Sequence, residues 1–537
     1  MRVTNHMVTS SSLRNMQKSM QRVSKLNEQI TTGKKISAPS EDPVIAIRAL
    51  KLRTTCDQLE QYKNKNIKDA LSWLDTTQSS IQNVHDRLKS IYGYCVQGAH
   101  DTFSTDDRNK IINELKSLKE GIYSEGGTTY AGRYLFSGYK TETNLIFQNA
   151  EAKAGKLYNI TEEVSPNKIV PKNVVLNEVN VSDLDNILNG GDYKSPIEST
   201  AYTLQLAYDN LDAEPLTVLD ADGNPVMEPQ LDADGNPVTD GNGDPVMQPV
   251  TKQFSVTVTD AEGNKSELTV TTLTPKDSDK YYDVADDAVH FIPETGELVF
   301  GKDVYNSIKG AQDISINYNK SNFAVGDLRP EMYFNCTQYQ KNADGTVKTT
   351  DYTVTDEGQP IQYEVNFNQY ITVNAEGRNI ITHDIGNDVE DMVIAVQDVL
   401  DVEESIAKLK GMLEDPQYKN NESAVMQINK MLEDADVELA MKREHMQKLF
   451  GNNMTNFQNF MDSVSAEQAK VGTNYSKLEL IETRVTEQLE NFQELKSSNE
   501  DVETEEVALE MYQSELVYES ALATTASVIQ KTLLDYL

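Results

Sequence analysis

The chain has 537 residues and a formal net charge of −36, from 49 Lys and Arg against 85 Asp and Glu. That length accommodates about two to four domains, and the charge argues against a nucleic-acid or anionic-membrane binder. There are three cysteines, Cys56, Cys95 and Cys336. The first two fall on one expected helix, roughly 58 Å apart at ~1.5 Å per residue, so no disulfide framework is expected.

The opening MRVTNHMVTSSSLRNMQ is polar and lacks an apolar core of the signal-peptide kind. No apolar run is long enough to span a membrane. Both facts suit a cytoplasmic protein or one exported by a route without a cleaved signal. The Ser/Thr/Asn-rich first dozen residues are expected to fray or be disordered when unpaired. Leu13, Met16, Met20, Val23 and Ile30 then follow a 3-4 spacing, a heptad stripe.

A joint follows between Lys25 and Leu50. Gly33 sits where a helix end wants positive φ, Pro39 bars helical backbone at Ala38, and Pro43 suits a first turn with Ser40 as the expected cap. From about Glu41 to Gly98 a single long helix is expected. Ile67, Leu74, Ile81, Leu88 and Cys95 hold its seam. Ser104 to Asp107 caps a third helix that ends at Glu125-Gly126. The aromatic and glycine-rich stretch 128–147 reads as a tight β-excursion.

Between about 150 and 385 the helical period gives way to alternation, as in 254–259, 267–271, 314–318 and 363–367. Inside lies a degenerate repeat at 220–247, Asp-Ala-Asp-Gly-Asn-Pro and its variants. Asp220, Asp222, Asp232 and Asp234 are the candidate calcium ligands. From Asp220, however, the positions that an EF-hand fills with Gly and a bidentate Glu hold Pro225 and Leu231, so turns are the preferred reading.

Helical pattern resumes near Asp388. One helix is expected over about 389–413 and another from about Asn421, with heptad spacing at Val471, Leu478, Ile481, Val485 and Phe492. A polar break at 496–506 precedes a last helix carrying Val502, Leu509, Tyr512, Leu516, Ile529, Leu533 and Tyr536. Residues 1–100 carry a net +7 and residues 471–537 a net −10. Opposite charges beside apolar seams select a partner, so the two ends should pair.

The expected fold class is therefore mixed: a long α-helical coiled-coil or bundle rod from both ends with a large β-rich insertion at the tip. Its expected divisions are 1–40 with 500–537, 41–147 with 388–499, and 148–387. The six histidines are scattered and match no metal spacing. No GxSxG, P-loop or GxGxxG after a strand occurs. The expectation is a protein without catalytic, cofactor or metal sites.

Three passages carry a resemblance: ITTGKKISAPSEDPVIAIRAL (30–50), GRYLFSGYKTET (132–143) and SVIQKTLLDYL (527–537). They resemble the hook-associated protein 3 family, hook–filament junction proteins of the flagellin superfamily. The resemblance implies export by the flagellar type III apparatus to the extracellular hook–filament junction. It implies as partners copies of the chain in a ring, flagellin, the other junction protein and a cytoplasmic export chaperone, with no nucleic acid or membrane. It also implies outer helices that order on assembly. The expected assembly residues are Leu13, Met16, Met20, Val23, Ile30, Leu509, Leu516, Ile529, Leu533 and Tyr536, hinged at Gly33, Pro39 and Pro43. The alternatives are a filament flagellin, or an adhesin or calcium-binding module carried by the insertion.

Overall fold

The computed structural model describes residues 5–100, 104–152, 156–220, 224–230, 238, 245–341, 347–355 and 357–528. Its long helices are α1 (Asn5–Thr32), α2 (Pro43–Gln61), α3 (Ile67–Gly98), α4 (Thr105–Glu125), α5 (His383–Glu414), α6 (Glu422–Glu500) and α7 (Thr504–Val528). The chain divides into two compact units. Unit 1 holds residues 1–72, 362–372 and 474–537, and unit 2 holds 73–361 and 373–473.

Several helix boundaries differ from expectation. Helix α1 begins at Asn5, so the Ser/Thr-rich lead, for which fraying was expected only when unpaired, is helical. It packs against α7, which supplies tertiary support that propensity alone does not. Asp42, not Ser40, caps α2: its carboxylate accepts from the amides of Val44 and Ile45. Ser40 lies instead in the turn that Pro39 opens, closed by Glu41 N donating to Ala38 O at 3.0 Å. Helix α5 starts earlier than expected because His383, Ile385 and Gly386 are buried along with Val389.

The helix expected to run unbroken to Gly98 carries a π-helical segment, Tyr62–Asn66, between α2 and α3. In unit 1 this segment meets the antiparallel hairpin Gln362–Asn366 and Gln369–Thr372. Tyr62 OH donates to Glu364 Oε1 at 3.0 Å, Asn66 Nδ2 donates to Glu364 O at 2.8 Å, and the Tyr62 and Phe367 rings meet edge-on at 5.5 Å. On α6, Asn474 donates to Thr372 O and Arg484 to Gln369. The hairpin belongs to the β-rich insertion in sequence but to unit 1 in space. The inserted residue of the π-segment shows in the buried seam, which steps by seven from Leu52 to Leu59, by eight to Ile67, and by seven again to Leu74.

Unit 2 contains a helical part and two sheets. On α3, Trp73, Leu74, Ile81, Val84, Leu88, Ile91 and Cys95 are fully buried, each worth about 1.5–3 kcal/mol by transfer. Ser104 and Asp107 form the expected capping box of α4. Arg108 of α4 and Arg443 of α6 both donate to Glu403 Oε1 of α5, at 2.6 and 2.8 Å.

One sheet runs in the order Lys265–Leu268, Ser255–Thr259, Asp313–Lys320, Leu157–Val164, Asn335–Lys341, Val347–Tyr352, antiparallel throughout. The other runs Thr271–Thr272, Val289–Ile292, Glu297–Phe300, Ile197–Gln205, Val170–Leu176. Their shared core includes Tyr158, Ile160, Leu204, Val256, Phe291, Phe300 and Ile314. The excursion at 128–147 contains the short hairpin Thr129–Tyr130 and Arg133–Tyr134.

Of the Asp-Gly-Asn-Pro repeat, Asp220 is described, and Asp222, Asp232 and Asp234 lie outside the described residues. Asp220 closes a turn: its carboxylate accepts from Asn224 N and its own amide donates to Asn224 O, both at 2.8 Å.

Candidate assembly site

The two joints interlock in unit 1. Gly33 ends α1 with φ +68, a backbone region that costs glycine nothing. Its carbonyl accepts from Val502 N at 3.0 Å, and Lys35 N donates to Glu500 O at 2.7 Å. Lys34 and Asp501 thus form an antiparallel bridge between the two breaks. The break in the C-terminal rod is only Asp501 to Glu503, narrower than expected, and Val502 lies in it and not on the last helix. Val502 is diverted because its amide completes this ladder.

Side chains reinforce the backbone. Arg53 holds Glu500 through two bonds, Nε to Oε1 at 2.7 Å and Nη2 to Oε2 at 2.5 Å. Lys34 Nζ donates to Asp501 Oδ1 at 2.5 Å and to Glu500 Oε2 at 3.3 Å. Lys35 Nζ reaches Ser498 O, and Gln29 Nε2 reaches Lys35 O. The Glu500 side chain is buried. Arg53 first, and then Lys34, hold its carboxyl below the usual carboxylate value. Bonds to Asp501 in turn raise Lys34 above its ordinary value. A bidentate guanidinium on a shielded carboxylate is the strong form of ion pair. Sequence reading placed both breaks but not this clasp. The signal available was opposite charge at the two breaks, Lys34-Lys35 against Glu500-Asp501.

Beyond the clasp, α1 and α7 pack side by side. The face of α1 withdrawn from solvent is Thr9, Ser12, Met16, Ser19, Val23, Leu26 and Ile30, a heptad in which only Leu26 is fully buried. The matching face of α7 is Val507, Met511, Ser514, Tyr518, Ala521 and Thr525. Met16, Val23 and Ile30 therefore lie where the expected stripe put them, inside the chain's own helix pair. Leu13, Met20, Leu509 and Leu516 do not: they are between 40 and 65% exposed. Ile529, Leu533 and Tyr536 lie outside the described residues. The helix pair mixes small and polar side chains with apolar ones on its inner faces and leaves further large apolar ones outside. Leu26, which closes the apolar stripe with Val23 and Ile30 in the sequence, is the residue of α1 turned furthest inward.

Among the described residues no three His, Cys, Asp or Glu side chains cluster as metal ligands. His383 lies among Tyr208, Tyr333 and Phe334, and burial pushes its pKa down to about 3, so it stays neutral. The three cysteines are free and buried, and burial pushes the Cys95 and Cys336 thiols up to about 12.

Residues 3–141, which include α1 to α4 and both flanks of the first joint, match the family model of the bacterial flagellin N-terminal helical region. Among curated relatives, the chain is 27% identical over 175 residues to flagellar hook-associated protein 3 of Escherichia coli (strain K12), covering 31% of this chain and 53% of that one. It is 26% identical over 127 residues to a flagellin of Clostridium tyrobutyricum, covering 24% of this chain and 33% of that one. The chain thus spans about half the length of the hook-associated relatives it matches. Among solved structures, FlgL of Xanthomonas campestris aligns at 11% identity over 82% of this chain and 98% of that one, with a TM-score of 0.29. A hook-associated protein of Vibrio parahaemolyticus, titled putative, aligns at 30% identity over 21% of this chain and 50% of that one, with a TM-score of 0.20.

Proposed function

We propose that this flagellar protein is a structural subunit of the junction between hook and filament, acting by helix-mediated self-assembly and not by catalysis. One observation carries the reading. The α1/α7 pair leaves Leu13 and Met20 on one helix, and Leu509, Tyr512 and Leu516 on the other, facing solvent. A helix pair that leaves this many large apolar side chains outward is a surface for further helices. Equivalent helices of neighbouring copies supply them, and residues 1–40 with 500–537 form the part that orders on assembly. The clasp at Gly33 and Glu500 marks where that part meets the self-sufficient rod. Flagellin, the other junction protein and an export chaperone are the partners this role entails, with passage through the flagellar export channel.

A strain lacking the gene tests the role. Intact hooks with flagellin shed unattached into the medium are the expected result, whereas filaments still attached would refute it. Labelled antibody separates the rival within the superfamily: staining confined to the filament base supports a junction subunit, and staining along the filament makes the chain a flagellin.

A further inference from the structure

Helix α2 is apolar on two sides. One side buries Ala49, Leu52, Cys56 and Leu59. The other carries Val44, Ile47 and Leu50, which are 60 to 76% exposed. An amphipathic surface helix ordinarily keeps one apolar stripe. Arg48 and Lys51 are exposed on the same outer side. The third cation of the helix, Arg53, is committed to Glu500. In a chain of net charge −36, an exposed apolar strip flanked by cations alone stands apart.

Its complement lies on α7. Leu509, Tyr512 and Leu516 are exposed there, beside the exposed carboxylates of Glu515 and Glu519. Thr504–Val528 contains no Lys or Arg at all. Each strip extends about 10 Å along its helix at ~1.5 Å per residue, so the two can lie side by side. Neither is needed within the chain, since α2 is held by Asn499 and Glu500 of α6, and α7 is held by α1.

We infer that the Val44–Ile47–Leu50 face of α2 docks the Leu509–Tyr512–Leu516 face of α7 from a second copy of this chain. The inference rests on the self-assembly reading above and adds which surfaces meet. Apolar side chains close the centre, and Arg48 and Lys51 face Glu515 and Glu519 at the edges, which fixes partner and register. Two different patches are joined, so the contact is heterologous. It repeats from copy to copy and generates a ring or a helix, not a two-fold dimer.

Paired charge reversals in the source bacterium test this. In cells lacking the natural gene, R48E/K51E alone and E515K/E519K alone should each lower attached filaments about tenfold or more, because like charges then oppose one another in every contact. Cells making both variants together should regain attachment, since unlike copies match at both faces when they alternate. Rescue by mixing also shows that each variant folds. If either variant alone supports normal attachment, or if co-production fails to restore it, this contact is wrong. The self-assembly reading fails separately, if deleting the gene leaves filaments attached.

Discussion

Helices α1 and α3 belong to the same matched N-terminal region, yet they are built in opposite senses. Helix α3 turns Trp73, Leu74, Ile81, Leu88 and Cys95 inward, all fully buried. Helix α1 turns Thr9, Ser12 and Ser19 inward along with Met16, Val23, Leu26 and Ile30, and leaves Leu13 and Met20 to solvent. Both satisfy a heptad spacing. The difference is where the apolar mass ends up: α3 buries it within the chain, whereas α1 leaves part of it in solvent, which is the surface we propose other copies cover.

The largest effect expected from breaking this contrast is in the self-sufficient part. Phe457→Ala empties a fully buried site on α6 and should cost about 3–5 kcal/mol, read as a lowered unfolding midpoint in denaturant. The same readout on Leu516→Asp, at an exposed site of α7, should move by no more than about 0.5 kcal/mol while assembly is lost. A large loss of chain stability in that variant would erase the distinction.

Next comes the opposite response to pH of one carboxylate in each unit. In unit 2, Glu162 is buried and accepts from Tyr318 OH and Ala207 N. Burial lifts its pKa from 4.5 to about 7. The folded state therefore holds a proton that the unfolded chain releases, and stability falls as pH rises from 4.5 to about 7, by up to roughly 3 kcal/mol. Glu162→Gln should reduce that slope in a pH series of denaturant melts. In unit 1 the sign reverses. Glu500 is depressed below 4.5, so its contribution is present above 4.5 and lost as pH falls through the folded value. Acid should release the joint, visible as early amide exchange at Lys35 and Val502, while in unit 2 the buried neutral His383 opposes the gain at Glu162.

Glu500→Gln should loosen the clasp by about 2 kcal/mol at neutral pH, because Arg53 and Lys34 then face an uncharged acceptor. Amide exchange confined to α1, α7 and the two breaks is the expected readout, and uniform destabilisation would argue against a local role. The smallest effect is at Gly33. A Cβ there meets no neighbour within 4 Å, so Gly33→Ala carries only the strain of φ +68, about 1 kcal/mol.

Much of the architecture was legible because long heptads and alternating runs differ in period. The capping box at Ser104 and Asp107, the positive φ at Gly33 and Pro43 in the first turn of α2 were readable as single residues with one stereochemical use. What escaped were features set by distant pairing. Asp42 outcompetes Ser40 as a cap because Ser40 is taken into the Pro39 turn. The π-segment at Tyr62 leaves only a one-residue slip in the apolar spacing, from Leu59 to Ile67, and its partner Glu364 lies 302 positions away. The apolar stripe of α1 was legible, but not that its large residues divide between two faces. Which of two neighbouring registers turns inward depends on the partner helix, as Leu26 against Leu13 shows.

The bridge between Lys34 and Asp501 closes a loop of 467 positions. Closing so long a flexible chain costs roughly 5 kcal/mol of entropy by the logarithmic rule, more than one ion pair returns. Structure formed earlier between the two positions shortens the effective loop, so the bridge should close late in folding, an order that exchange labelling during refolding would check.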